Sequence, residues 1–322
     1  MTMTKKLDMS MTKKSTRPPT GDPFDAATAA RRPQIRTWIA VVVVLILLAQ
    51  AAKFVATNPA FAWPVVLEYF TSVYVLQGLA ATLQLTVICM ALGILGGIGL
   101  AAMRLSDSKP LVWFSSTVVW VLRSVPLLVQ LIFWYNLAAL LPQISIGIPF
   151  GPVFSSWDTN DLITPLVAAI VGLAMHEMAY MAEIIRAGVL AVPDGQIEAA
   201  RSIGMRRYQL FLRVILPQAA RVSVPPTGSQ VISMLKATSL VSVIAMRELL
   251  YSVQETYNQT FQVIPLLTVA VLWYLIVTSL LAVGQIYLER RLGRGYGKQG
   301  GSNETASTDS PQLDLKITDR LS

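Results

Sequence analysis

His176, Glu177, Tyr180 and Glu183 fall within eight residues of one another, inside an otherwise apolar run at 162–185. Ionisable groups in such a run are costly and persist where they face a water-filled cavity or a partner, so these are functional candidates by default. The chemistry open to them is narrow. A zinc site needs several His, Cys or carboxylate ligands, and His176 is the single histidine of the chain. Cys89 is its single cysteine, which removes disulfide scaffolds and cysteine-rich metal sites and leaves Cys89 as a small buried apolar residue. No Gly-x-Ser-x-Gly nucleophile elbow occurs, and no Gly-x-x-x-x-Gly-Lys-Ser/Thr phosphate loop occurs. The chain therefore carries no obvious catalytic set and cannot by itself bind and hydrolyse ATP in the usual way.

A second polar stretch follows directly. Glu198-Ala199-Ala200-Arg201-Ser202-Ile203-Gly204 runs on to Val214-Ile215-Leu216-Pro217. Arg201, Arg206, Arg207 and Arg213 lie within about four helical turns, while Ala199 and Ala200 leave one face nearly bare of side chain. Gly204 tolerates dihedrals that other residues avoid, so the spacing predicts two short helices meeting at an angle. Asp194, in Val192-Pro193-Asp194-Gly195, is expected to cap the first of them. A bent helical hairpin with a bare face has the shape of a docking element.

The elements that hold these residues are membrane spans. The 322 residues are 54% hydrophobic and 14% charged, against roughly 25% charged in a soluble domain. The run 263–288 has no charged residue at all, a length only lipid accommodates. The net charge of +8 comes from short basic segments beside apolar runs, as positive-inside topology requires, and no nucleic-acid-binding domain is indicated.

Residues 1–35 read as a disordered, basic, cytoplasmic tail. An extra transmembrane helix at 36–56 follows, with its core at 38–54, retained as a signal anchor despite the small-x-small look of Ala60-Phe61-Ala62. Further spans are expected at 73–103, 127–141, 162–185, 216–235 (interrupted by Pro225-Pro226) and 264–288. The 73–103 span holds Gly93, Gly96, Gly97 and Gly99, spaced for close helix packing within one subunit. Residues 142–157 read as an external loop, and 241–258, with Arg247, Glu248 and Glu255, as a short external or partly re-entrant helix. The tail 298–322 reads as disordered. The fold class is an all-α polytopic membrane protein with about six transmembrane helices, multi-pass, with both termini cytoplasmic.

Glu198-Ala199-Ala200, three residues, Gly204, nine residues, then Val214-Ile215-Leu216-Pro217 resembles the EAA loop of ABC-importer permeases. The flanks 179–188, 192–196, 218–221 and 236–240, together with Gly78-Leu79-Ala80-Ala81-Thr82-Leu83-Gln84-Leu85 and Arg123-Ser124-Val125-Pro126-Leu127-Leu128-Val129-Gln130, resemble the polar amino acid branch. Val214 replaces the family's usual Ile, a change of one methylene, and Ser229 stands where many members carry Asn, which bears on fine specificity.

The resemblance implies the type I importer permease fold, with a permease core at 73–290 and a cytoplasmic EAA loop at 186–217. It implies that Glu198, Ala199, Ala200, Arg201, Gly204 and Pro217 couple the chain to separate ABC ATPase subunits. This chain then needs no cofactor, and ATP and Mg belong to the ATPase. The other implied partners are an extracellular or periplasmic solute-binding protein and a second permease copy, forming a homodimer or heterodimer in the inner (cell) membrane. A polar amino acid is the implied substrate. His176 and Glu177 then have two readings: contact with a zwitterionic amino acid along the substrate path, or a structural pair tying the span to its neighbour. Glu183 is expected to pair with Arg123 or Arg186. The alternatives are a permease for another small substrate, such as an opine or cystine, or a membrane enzyme or passive anchor subunit.

Overall fold

The computed structural model describes residues 35–148 and 152–292, so the tails expected at 1–35 and 298–322 lie, but for Ile35, outside the described residues. The chain divides into two units, Met1–Pro59 and Ala60–Ser322. The first contains α1 (Ile35–Thr57), whose described side chains at 38–57 are all exposed. Its 23 residues rise about 34 Å, enough to cross hydrocarbon. An apolar helix whose described side chains are exposed to this degree suits lipid as its surroundings.

In the second unit a 3-10 turn leads into α2 (Trp63–Phe70) and the long α3 (Val73–Arg104). The hydroxyl of Ser72 caps α3 by accepting from the Val75 N–H at 3.4 Å. Then come α4 (Lys109–Ser124), α5 (Leu127–Tyr135), the one-turn α6 (Leu137–Leu140), β1 (Gln143–Gly147), β2 (Val153–Asp158), α7 (Thr159–Leu162) and α8 (Pro165–Leu190). After α8 follow α9 (Asp194–Ser202), α10 (Arg207–Leu210), a π segment (Phe211–Ile215), α11 (Leu216–Ala237), a 3-10 segment (Thr238–Ile244), α12 (Leu249–Thr260) and α13 (Val263–Leu292). Among the described residues four helices, α1, α3, α8 and α13, are long and apolar enough to cross a membrane, and the number reaches six if each of two bent pairs counts as one span.

The glycines of α3 explain how its interior is built. A Cβ on Gly93 would lie 2.7 Å from the Glu177 Cβ, and one on Gly97 would lie 2.6 Å from the Met181 Cβ. The two helices therefore run parallel in near-backbone contact, in a four-residue register that only glycine permits. Around this seam, Leu85, Cys89, Met90, Leu131, Leu173 and Met234 form the main buried cluster. A second cluster joins α2, α3, α12 and α13 through Val66, Val75, Leu249, Val253 and Leu266.

Two expectations about the spans change. The third is not a straight helix at 127–141: α4 and α5 meet at 99° around Val125 and Pro126. Pro126 has no N–H to give the Leu122 carbonyl, and the buried Gln130 replaces it. The Gln130 Nε2 donates to the carbonyls of Leu122 (2.8 Å) and Val125 (2.9 Å). In an apolar surrounding those carbonyls have no water to turn to. Gln130→Leu is therefore expected to destabilise the fold by roughly 1–3 kcal/mol, read as a lower midpoint of thermal unfolding in detergent. An unchanged midpoint would show that the bend holds without this side chain.

The fifth span is not broken at Pro225-Pro226, because α11 continues through both prolines, and the break comes later, at the 3-10 segment before α12. The expected external loop carries an antiparallel hairpin, Ile144 opposite Trp157 and Ile146 opposite Ser155. Its alternation of Ile and Ser is the strand signal that Pro and Gly punctuation obscured.

Candidate functional site

Two sites emerge, one at an end of the helices and one between them. The first is the loop joining α8 to α11. Gly188 allows α11 to approach α8 so closely that a Cβ there would come within 2.9 Å of the Ala219 carbonyl oxygen, and the Ser223 hydroxyl donates to the Ile184 carbonyl at 3.3 Å. The segment between them projects as α9, a sharp reversal, and α10.

The reversal is a Schellman turn. Gly204 has φ +76°, its N–H donates to the Arg201 carbonyl (2.9 Å), and the Met205 N–H donates to the Ala200 carbonyl (3.1 Å). The spacing from Ala200 to Gly204 thus follows from helix-ending geometry. Past the turn, the Arg206 N–H is accepted by the Gln209 side chain at 3.1 Å, which starts α10. Gln218 ties the base of α11 back to α9, donating to the Gln196 Oε1 at 2.6 Å and to the Val214 carbonyl at 2.9 Å. Pro217 stands in the first turn of α11, just after the π segment.

The two alanines have different surroundings. Ala200 is buried, whereas Glu198, Ala199 and Arg201 are exposed. Ile203 and Tyr208 are 78% and 73% exposed, and sequence reasoning had assigned neither to the contact face. Asp194 does not cap α9: it lies inside the helix, Pro193 occupies the cap position, and no side-chain cap bond forms. An acid in the first turn still opposes the positive helix end.

The second site is a cavity of about 250 Å³ lined by His176, Glu177 and Tyr180 of α8 and Gln230, Ser233, Met234 and Ala237 of α11. Glu177 is 2% exposed. The Glu177 Oε1 and the His176 Nδ1 are buried, and neither has a hydrogen-bond partner among the described residues. His176 and Glu177 are thus brought together on one cavity wall without bonding to each other or to a neighbouring helix. Buried polar atoms are nearly always partnered; among the described residues these two and the Gln130 Oε1 are not. Ser229 does not line this cavity; its hydroxyl accepts from the Gln285 Nε2 at 2.9 Å.

At the edge of the cavity, the Tyr180 ring lies 4.9 Å from the His176 ring and is tilted by 46° to it, and the Arg123 guanidinium lies 5.2 Å from the centre of the Tyr180 ring. Glu183 pairs with Arg104, a partner not foreseen from sequence, with Arg186 at 3.0 Å, and with Arg123 at 3.7 Å. Arg104 joins because α3 ends alongside α8.

Sequence reasoning also missed Glu248. It is fully buried at the break before α12, where its Oε1 accepts from the Tyr251 N–H (2.8 Å) and its Oε2 from the Tyr274 hydroxyl (2.9 Å) and the Thr82 hydroxyl (3.3 Å). Thr82 in turn accepts from the Leu249 N–H at 3.1 Å. One carboxylate thereby caps α12 and ties it to α3 and α13. Glu248→Ala is expected to cost roughly 2–4 kcal/mol, with Glu248→Gln milder because its amide oxygen can still accept. The check is thermal unfolding of the purified variants, and an alanine variant as stable as wild type would remove the latch role.

The fold is thus a set of bent membrane spans with a Schellman-turned hairpin between α8 and α11. The chain matches the family described as binding-protein-dependent transport system inner membrane component over residues 93–294, and it belongs to that family. Within it, the chain is a permease of the polar amino acid ABC importers. It is 38% identical over 261 residues to the arginine transport system permease protein ArgU of Corynebacterium glutamicum, covering 80% of each chain. It is 33% identical to the probable glutamine ABC transporter permease protein GlnM of Bacillus subtilis, covering 69% of this chain and 94% of that one. A solved structure, the crystal structure of an amino acid ABC transporter with histidines, aligns with a TM-score of 0.58 at 33% identity, covering 68% of this chain and 94% of that one.

Proposed function

We propose that the chain moves a polar amino acid through the membrane by conformational coupling to separate ABC ATPase subunits, which dock on α9, the Gly204 turn and α10. The observation that carries this reading is the exposed, Schellman-fixed face of Glu198, Ala199, Arg201 and Ile203 at the joint of two long helices. Force applied there reaches α8 and α11, the two helices that line the 250 Å³ cavity. Closure of two ATPases around ATP and Mg would then rotate the spans between inward-open and outward-open states. The basic helix ends, with Arg104 in the last turn of α3 and Arg290 and Arg291 in the last turn of α13, favour placing this end of the core in the cytoplasm of an inner membrane.

A second permease copy, identical or related, completes the pathway, and a solute-binding protein delivers substrate from the other side. In the cavity the Glu177 carboxylate meets the substrate amine, and His176 meets its carboxylate or polar side chain. The test is reconstitution of the chain with its ATPase and binding protein in proteoliposomes. ATP-dependent uptake of labelled amino acid supports the reading; uptake of an opine or cystine alone moves the substrate class, and no uptake with any of them sinks it.

A further inference from the structure

We propose that the notch where the ends of α3 and α8 meet α4 is a binding site for the phosphate of an anionic phospholipid in the leaflet on the α9–α10 side. It rests on the membrane reading of the chain and is independent of which solute is carried. Three guanidiniums, those of Arg104, Arg123 and Arg186, surround the single carboxylate of Glu183. Charge therefore counts as three positive against one negative. The Glu183 oxygens are already taken up, Oε1 by Arg104 and Oε2 by Arg186 at 3.0 Å. Arg123 is left with a contact of 3.7 Å and a place over the Tyr180 ring, and its side chain is 45% exposed.

A cavity of about 430 Å³ opens beside it, lined by Arg104, Ser116, Trp120, Arg123 and Ser124, and by the Glu183 carboxylate that the arginines neutralise. The hydroxyls of Ser115 and Thr117 bond to backbone carbonyls of their own helix, at 2.8 and 3.0 Å. Those of Ser116 and Ser124, which face this cavity, have no hydrogen bond among the described residues. A fork of N–H donors with two spare hydroxyls is a set that a phosphodiester satisfies, since guanidinium binds phosphate oxygens in a bidentate way.

The occupant is a lipid because of what borders the cavity. Lys109, Trp113, Ser116, Trp120 and Arg123 recur at alternating spacings of four and three, and so share one stripe of α4. Trp113 and Trp120 are 73% and 68% exposed. Ser116 also lines a second cavity, of about 490 Å³, together with Ser106, Asp107, Lys109 and Trp113. Basic residues at both ends of a stripe with exposed indoles between them form the pattern that settles at headgroup level. The 99° bend frees α4 from the course of α5, which packs Leu131 against Gly172 of α8, while Val119 and Leu122 of α4 pack with Ala179 and Ala182.

The experiment uses the full-length chain in nanodiscs of mixed phosphatidylglycerol and phosphatidylcholine, with bound lipid counted by native mass spectrometry. Wild type is expected to retain phosphatidylglycerol in preference. Arg123→Gln leaves Glu183 paired with Arg104 and Arg186, and should lower that retention about fivefold, the loss of one surface cation. Ser116→Leu fills the cavity without changing charge and should lower it as well, so it decides the matter if the arginine variant fails to fold. Equal retention of the two lipids by wild type would overturn the proposal, as would unchanged retention in the variants. Displacement of the lipid by millimolar inorganic phosphate would overturn it in favour of a soluble anion, and displacement by millimolar amino acid would make the notch a release route for solute.

Discussion

A Gly204→Val permease is expected to reach the membrane in normal amounts, yet to lose ATP-driven uptake and to release its ATPase on purification. Apart from its chain neighbours, no heavy atom of the described residues lies within 4 Å of where a Cβ would stand, so tertiary packing does not exclude a side chain at its first atom. The penalty is conformational: at φ +76° an L residue pays about 1–2 kcal/mol, and a β-branched one is a genuine outlier there. That alone lowers the population of the native turn by roughly 5- to 30-fold. The alternative is to abandon the turn, which frees the Ala200 and Arg201 carbonyls and re-aims α9 against α10. The exposed Glu198, Ala199, Arg201 and Ile203 then no longer present one face. Gly195 is the matched control, because it too has open space but has no positive φ. Gly195→Ala should leave uptake intact and add up to about 1 kcal/mol of stability. Full uptake with an unchanged yield of co-purified ATPase in Gly204→Val would show that the turn does not couple.

The parts of this molecule that were legible in sequence are those governed by period and length. Uncharged runs gave away α1, α3 and α13, and the EAA spacing gave away the turn at Gly204, because a Schellman motif needs Ala200 and Gly204 four apart. The intervals in α3 foretold close packing, though not that Gly93 would lie against Glu177. What stayed hidden depends on contacts between distant segments. Gln130 looks like one polar residue in an apolar helix until its partners, the carbonyls freed at Pro126, are seen. Glu248 sits between Arg247 and, farther on, Glu255, and that mixed company reads as a short external or partly re-entrant helix without singling Glu248 out. Arg247 and Glu255 do form an exposed pair at 3.1 Å, while Glu248 turns inward to Thr82 and Tyr274, 166 and 26 residues away. Pro225 and Pro226 misled in the opposite sense, since α11 runs on through both of them.

Glu177→Gln carries the other large expected effect. The substitution keeps size and shape and removes only the charge, and the Glu177 Oε1 has no partner among the described residues to lose. Folding should therefore survive, and thermal unfolding should stay close to that of wild type. A charged hydrogen bond to a substrate amine contributes about 1.5–3 kcal/mol. Its loss should raise the amino acid concentration for half-maximal uptake, and for stimulation of ATPase activity in proteoliposomes, roughly tenfold to a hundredfold. Two companion variants separate charge from geometry. Ser229→Asn changes a residue turned toward Gln285, outside the cavity wall, and should leave that concentration unchanged. Gly93→Ala sets a methyl where the Glu177 Cγ would be 2.6 Å away. The carboxylate keeps its charge but must move, so affinity should fall together with stability. A wild-type concentration dependence in Glu177→Gln would leave the carboxylate a structural member of the α3–α8 seam, and the substrate amine would then need another acceptor among Gln230, Ser233 and Tyr180.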